Sequence, residues 1–258
     1  MSNTHHSLVL GYLYQKQKLY ESAAQQYEKA VKLKPKFIQA LANWGLVWDR
    51  LHDPGKAVEI YQRALNVKQD EAPIYVRLGS SLMKMSQYGK AKAAFENALA
   101  LGEVRRSVFH DMGLIYEQEG APEKALNFYR RALGLGKGSS ETHFRVAGVL
   151  KELEKPAEAM THFRQAISLD PDNANAHYGL AQLLLAEGSV VEATDFLNTF
   201  SKLKEYEGRL VPLRRAVEMA PRDPQASYDL AMLHMEYGRM QKGLDILRRI
   251  LKLHPNFT

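Results

Sequence analysis

Apolar residues recur along this chain with the period of a helix. Between Phe37 and Leu65, Leu41, Trp44, Gly45 and Trp48 fall at i, i+3, i+4 and i+7, the spacing of one helical face. Asp53-Pro54-Gly55 interrupts that pattern. Proline there suits a first helical turn, where its missing N–H is not needed. Ala57, Tyr61 and Ala64 then mark one face of a second helix. The stretch predicts a hairpin of two helices, each about 14 residues or roughly 20 Å long. The small residues Gly45 and Ala57 let the two axes approach closely. A hairpin of this size cannot bury both its faces, so it needs neighbours.

The neighbours are copies of itself. A shift of 34 carries Gly45 to Gly11, Gly79, Gly113, Ala147 and Ala181, and Ala57 to Ala23, Ala91, Ala125, Ala159 and Ala193. It carries Tyr61 to Tyr27, Phe95, Tyr129, Phe163 and Leu197, and Ala64 to Ala30, Ala98, Ala132, Ala166 and Phe200. Six units therefore follow without insertion or deletion, at 4–37, 38–71, 72–105, 106–139, 140–173 and 174–207. Pro54, Pro122 and Pro156 each open a second helix. The frame then slips. A seventh unit reads as 224–257, with Leu230, Ala231, Leu247 and Pro255, which leaves 16 extra residues between 190 and 223. They predict a longer second helix to about Tyr206, a break at Gly208 and a short helix from about Pro212 to Met219. Two readings stay open for them: an elongation without a role, or a wedge that changes the stacking or supplies a docking surface.

These columns resemble the tetratricopeptide repeat (TPR) family, whose 34-residue helix–turn–helix unit carries Trp-x2-Leu-Gly-x2-Tyr, then Ala, an aromatic, Ala and a closing Pro. Leu10-Gly11 with Tyr14, Ala23, Tyr27, Ala30 and Pro35 carry the match in the first unit. The sixth unit, with His177, Leu180, Ala181 and Leu184, departs furthest. The resemblance implies an all-α fold, a right-handed α-solenoid (superhelix) of about seven TPR helix-turn-helix units in a single array over residues 1–258. It also implies a concave groove lined by first helices.

Composition narrows the chemistry. There is no cysteine, which removes disulfides, thiolate metal sites and cysteine nucleophiles. No apolar run is long enough to span a bilayer, and MSNTHHSLVL lacks the form of a signal peptide, so a cytoplasmic location without membrane insertion is expected. No pair of histidines has HExxH spacing, no glycine-rich phosphate loop follows a strand, and no acidic pair is recognisable. The expectation is a protein that is not an enzyme and carries no cofactor or metal. Net charge is +6, and it is uneven. Residues 1–105 carry 15 Lys+Arg against 9 Asp+Glu, whereas 106–258 carry 20 of each. That pattern admits an acidic ligand on the N-terminal half, or a basic face that is merely solvated.

First-helix residues one step round from the packing face are the candidates for a partner-binding groove: Tyr12, Lys16, Asn43, Leu46, Arg50, Arg77, Ser80, Lys84, Asp111, Leu114 and Arg145, with Asp49 beside them. One column reads Lys16, Arg50, Lys84, Gln118, Glu152. An apolar one reads Leu8, Ala42, Val76, His110, Phe144, Tyr178, Tyr228. An apolar floor with a charged rim suits an extended peptide or an amphipathic helix. The TPR members that clamp chaperone C-termini use basic and Asn residues at places held here by Leu8, Tyr12, Asn43, Val76 and Ser80. Only Asn43 fits, which argues against that ligand. The asparagine ladder of O-linked sugar transferases is not sustained either.

The expected function is a protein–protein interaction scaffold. Alternatives are a substrate-recognition arm or fragment of a larger enzyme or of a secretion or assembly complex, and a self-assembling scaffold. Nucleic acid is disfavoured, because Tyr12 alone supplies a stacking aromatic in the groove of the basic half. Pro255-Asn256-Phe257-Thr258 resembles Pro35-Lys36-Phe37-Ile38, which leads into another unit. A fragment of a longer repeat protein, or a homo-oligomer joined through uncapped ends, is therefore also expected.

Overall fold

Fourteen α-helices follow one another among the residues that the computed structural model describes, 3–136 and 138–255. They pair in order as α1 (Asn3–Lys16) with α2 (Tyr20–Leu33), α3 (Ile38–Arg50) with α4 (Pro54–Val67), α5 (Ala72–Lys84) with α6 (Tyr88–Ala100), and α7 (Arg106–Gln118) with α8 (Pro122–Gly134). The later pairs are α9 (Ser140–Glu152) with α10 (Pro156–Leu169), α11 (Ala174–Ala186) with α12 (Val190–Met219), and α13 (Pro224–Glu236) with α14 (Met240–Leu253). Where the sequence frame runs as one array, the helices gather into two compact units, residues 1–138 and 139–258, whose boundary falls in the stretch holding Gly134, Gly136 and Gly138. Asn256, Phe257 and Thr258, on which the expectation of uncapped ends partly rests, lie outside the described residues.

Each hairpin closes in the same way. One residue past the first helix takes a left-handed conformation: Lys18, His52, Ser86, Gly120, Glu154, Gly188 and Gly238, with φ between 56° and 84°. The amide that follows then bonds back to a carbonyl in the last helical turn, as in Leu19 N–H to Tyr14 C=O (2.9 Å) and Asp53 N–H to Trp48 C=O (3.0 Å). This Schellman-type closure satisfies carbonyls that the helix end leaves free. Four of the seven positions carry a side chain that costs about 1–2 kcal/mol in this conformation relative to a right-handed one. Pro54, Pro122 and Pro156 then occupy the first residue of α4, α8 and α10.

The core of each of the first five pairs is Ala–aromatic–Ala from the second helix. Tyr27, Tyr61, Phe95 and Tyr129 are fully buried, and Phe163 nearly so. In α1, α3, α5 and α7 a glycine faces that ring. A Cβ at Gly45 would stand 2.5 Å from Tyr61 Cε1, and one at Gly79 2.5 Å from Phe95 Cε1. In the fifth pair alanine replaces that glycine, at Ala147. The Phe163 ring instead reaches Gly179 of α11, where an added Cβ would meet it at 2.5 Å. The aromatic has exchanged one glycine notch for another. In the sixth pair the corresponding positions are Ala181 and Leu197, so both notch and ring are gone.

The 16 extra residues form neither a break at Gly208 nor a separate short helix. α12 runs unbroken for 30 residues, with Pro212 inside it. Proline removes one backbone bond, to the Gly208 carbonyl, and crowds it. Tyr206 anchors the extension: it is buried and its hydroxyl lies 2.8 Å from Nδ1 of His234 on α13. Sixteen more helical residues lengthen α12 by roughly 24 Å. That length brings the α13–α14 turn beside Asp172 in the turn before α11, where Arg239 pairs with it at 2.8 Å.

Candidate functional site

In the first compact unit α1 packs against α3, and α3 against α5, so residues of successive first helices share one surface. Of the residues assigned to it from sequence, Tyr12, Lys16, Arg50 and Lys84 are exposed. The Lys16 ammonium lies 5.3 Å from the Tyr12 ring centroid. Neither Lys16 nor Arg50 has a carboxylate partner among the described residues. Leu46, Ser80 and Leu114 are half-buried between the helices. Leu8 and Val76, two of the apolar column, are buried packing residues, whereas Tyr178 and Tyr228 of the second unit are exposed.

Four residues expected at the groove have other work. Asp49 is not a free rim carboxylate. It accepts from the Tyr61 hydroxyl (3.0 Å), from Ser81 Oγ (2.9 and 3.0 Å) and from Lys84 Nζ (3.0 Å), and its side chain is only 11% exposed. It therefore ties α3 to α4 and to α5. Lys84 is consequently half of an ion pair, with less charge left for a ligand. Asn43 and Arg77 are half-buried because each reaches a tyrosine hydroxyl of the preceding pair. Tyr27 donates to Gln15 Oε1 (2.9 Å) and lies in hydrogen-bonding reach of Asn43. Tyr61 likewise donates to Asp49 and meets Arg77. Tyr27 and Tyr61 thus each link the first helix of their own repeat to that of the next. Burial, chiefly, pushes the Tyr27 hydroxyl up to about 12. Tyr61 goes well above its ordinary value for the same reason, with the Asp49 charge adding to it.

This linkage was readable in the sequence as a paired column. Tyr27, Tyr61 and Tyr129 stand twelve residues after the acceptors Gln15, Asp49 and Glu117, and Tyr129 donates to Glu117. Where the aromatic is Phe95, the matching residue is Met83, and no hydroxyl exists to be held. Asp111 occupies the place of Asn43 and Arg77 over that phenylalanine. It has no hydrogen-bond or ion-pair partner among the described residues, and burial alone pushes its carboxyl up to about 6. Arg145 belongs to the second unit, where it bonds Glu141 one turn earlier on α9 at 2.7 Å.

Among the described residues no three of His, Cys, Asp and Glu are placed to hold a metal ion, and no described helix is long and apolar enough to cross a membrane. The closest histidine pair, His143 and His162, shares one contact between Nδ1 atoms at 3.0 Å in the packing of α9 on α10. Burial depresses His143. His177 is buried and bonds the Pro171 carbonyl through Nε2 at 3.0 Å.

Comparison with known proteins identifies the repeat. Sequence models described as tetratricopeptide repeat match residues 8–37, 76–140, 150–203 and 213–256. No curated protein is a match to the chain. Among solved structures, PilF of Pseudomonas aeruginosa is 21% identical over 75% of this chain and 88% of its own, with a TM-score of 0.64. YrrB, described as a TPR protein with an unusual peptide-binding site, is 22% identical over 70% of this chain and 94% of its own, with a TM-score of 0.63. MamA of Desulfovibrio magneticus RS-1 is 17% identical over 67% and 98%, with a TM-score of 0.62. At these identities the likeness is one of fold.

Proposed function

Because the chain belongs to the tetratricopeptide repeat family, we propose that it is a non-catalytic scaffold that holds a segment of a partner protein along the first helices of its first compact unit. One observation carries this reading. On adjacent first helices, Tyr12, Lys16 and Arg50 are exposed and owe nothing to the fold, while their neighbours Asn43, Asp49, Arg77 and Lys84 are held by structural bonds. A basic, aromatic-bearing strip on a rigid helical support suits an acidic segment, extended or helical. Repeats of this family mediate protein–protein interaction, and YrrB is described as having a peptide-binding site. Both support the assignment of the class.

The test is a charge reversal that spares the internal bonds. Lys16→Glu with Arg50→Glu should weaken a partner captured from the native cell extract, then purified and titrated, by at least about tenfold, or about 1.4 kcal/mol. Lys84→Glu is unsuitable, since it would set a second carboxylate beside Asp49. Equal affinity of wild type and the double variant, with melting temperature unchanged, would overturn the assignment.

A further inference from the structure

The extension of α12 builds a cavity that the first-helix surface does not use. It measures about 200 Å³ and is lined by Leu203, Tyr206, Leu210 and Arg214 of α12, by Arg239 and Lys242 at the start of α14, and by Asp172 and Glu207. Such a space is smaller than the roughly 300 Å³ at which drug-sized ligand sites begin, so it fits a single chemical group. Its charges do not cancel. Asp172 is taken by Arg239 at 2.8 Å, and Glu207 by Lys204, outside the cavity, also at 2.8 Å. Arg239 also covers the Tyr206 ring, 3.6 Å from its centroid. Arg214 and Lys242 have no hydrogen bond or ion pair among the described residues. Two cations from different helices thus line one hollow, neither of them paired with a carboxylate among the described residues.

His234 reports the same field. It lies against the cavity wall through its bond to Tyr206, and it is depressed below the ordinary histidine value, first by burial and then by Lys242, Arg214 and Arg239. Those three cations, with Tyr206, are the titratable or charged groups that reach it from α12 and from the start of α14.

We propose that this cavity is a binding site for a phosphate monoester dianion, held between Arg214 and Lys242 with Tyr206 and Arg239 forming its wall. Two free cations match two negative charges. Arginine supplies a planar fork for phosphate oxygens and lysine a mobile point charge. The site exists only because α12 is long: Tyr206 to Arg214 lie in its second half, and the extension carries the start of α14 to them. On this reading the extra residues have a ligand as their purpose, independent of what binds the first helices.

The test uses the whole chain, labelled in its histidine rings, at pH 7.5 and constant ionic strength set with chloride. Inorganic phosphate and blocked phosphoserine are titrated while the His234 ring signals are followed. The expected result is a saturable shift together with a rise in the His234 pKa, since a bound anion cancels the field that depresses it. Arg214→Gln with Lys242→Gln should weaken binding at least tenfold, whereas Lys202→Gln with Arg215→Gln, the loss of two charges from α12 outside the cavity, should not. Tighter binding of phosphoserine assigns the group to a phosphorylated side chain, and equal binding assigns it to free phosphate. The proposal is overturned if His234 does not respond, if Lys202→Gln with Arg215→Gln weakens binding as much as the cavity variant, or if acetate binds as tightly as phosphate. Should the double variant fail to fold, the His234 pKa in the wild type with and without phosphate decides alone.

Discussion

Gly45→Ala is a small change that the fold should resist. In an exposed helix interior, alanine in place of glycine stabilises by about 1 kcal/mol, because the unfolded chain loses freedom and the helix gains a better former. At Gly45 the new Cβ would stand 2.5–2.8 Å from three carbons of the Tyr61 ring. Carbon atoms in contact prefer about 3.5–4.0 Å, so ring or helix must move by roughly 1 Å. The ring is not free to move. Tyr61 is fully buried, and its hydroxyl is held by Asp49. Overpacking of this kind costs about 1–3 kcal/mol before the propensity gain is set against it. A net destabilisation of up to about 2 kcal/mol is expected, read by urea denaturation. Gly148→Ala is the control: that position lies within α9, with nothing within 4 Å of the added carbon, and should be stabilised. A double-mutant cycle adds Tyr61→Leu, the Ala–Leu combination that the sixth pair already uses at Ala181 and Leu197. A coupling of about 1 kcal/mol or more, with alanine tolerated once the ring is gone, is expected. If Gly45→Ala stabilises as Gly148→Ala does, the close approach of the two helices is wrong.

Two further predictions follow from groups that the fold holds in unfavourable states. Asp111 has a folded pKa of about 6 against 3.8 ordinarily. The folded state therefore keeps a proton that the unfolded chain releases: its contribution is fully present below about pH 4 and is lost as pH rises through about 6. Asp111→Asn should stabilise at pH 7, by up to about 3 kcal/mol, and hardly at all at pH 4; equal effects in urea melts at both values would refute the account. Ser86 is exposed and left-handed at φ 56°, so Ser86→Gly should stabilise by about 0.5–1 kcal/mol, against a lowered melting temperature if the turn closes in some other way.

The sequence carried the helix pairs plainly, because four columns of small and aromatic residues kept one frame. It concealed the turn closure, since Lys18, His52, Ser86 and Glu154 occupy a conformation that glycine ordinarily marks. It misdirected the reading of α12. Gly208 and Pro212 are breakers by local propensity, yet Tyr206 packed on His234 carries the helix through them. The candidate surface was half legible. Spacing placed Asn43, Asp49 and Arg50 on one first helix and Arg77 and Lys84 on the next, as α3 and α5 have them, but it could not say which were committed to tyrosine hydroxyls of the second helices. That distinction needed the pairing of Tyr61 with Asp49 twelve residues before it. It leaves Tyr12, Lys16 and Arg50 as the residues with no internal duty.

Backbone hydrogen exchange of the chain with and without its purified partner tests the central claim most directly. The account predicts that the partner slows exchange in α1, α3 and α5 around Tyr12, Lys16 and Arg50, and leaves α2, α4 and α6 unchanged. Protection confined to those second helices, or to the second compact unit, would contradict it.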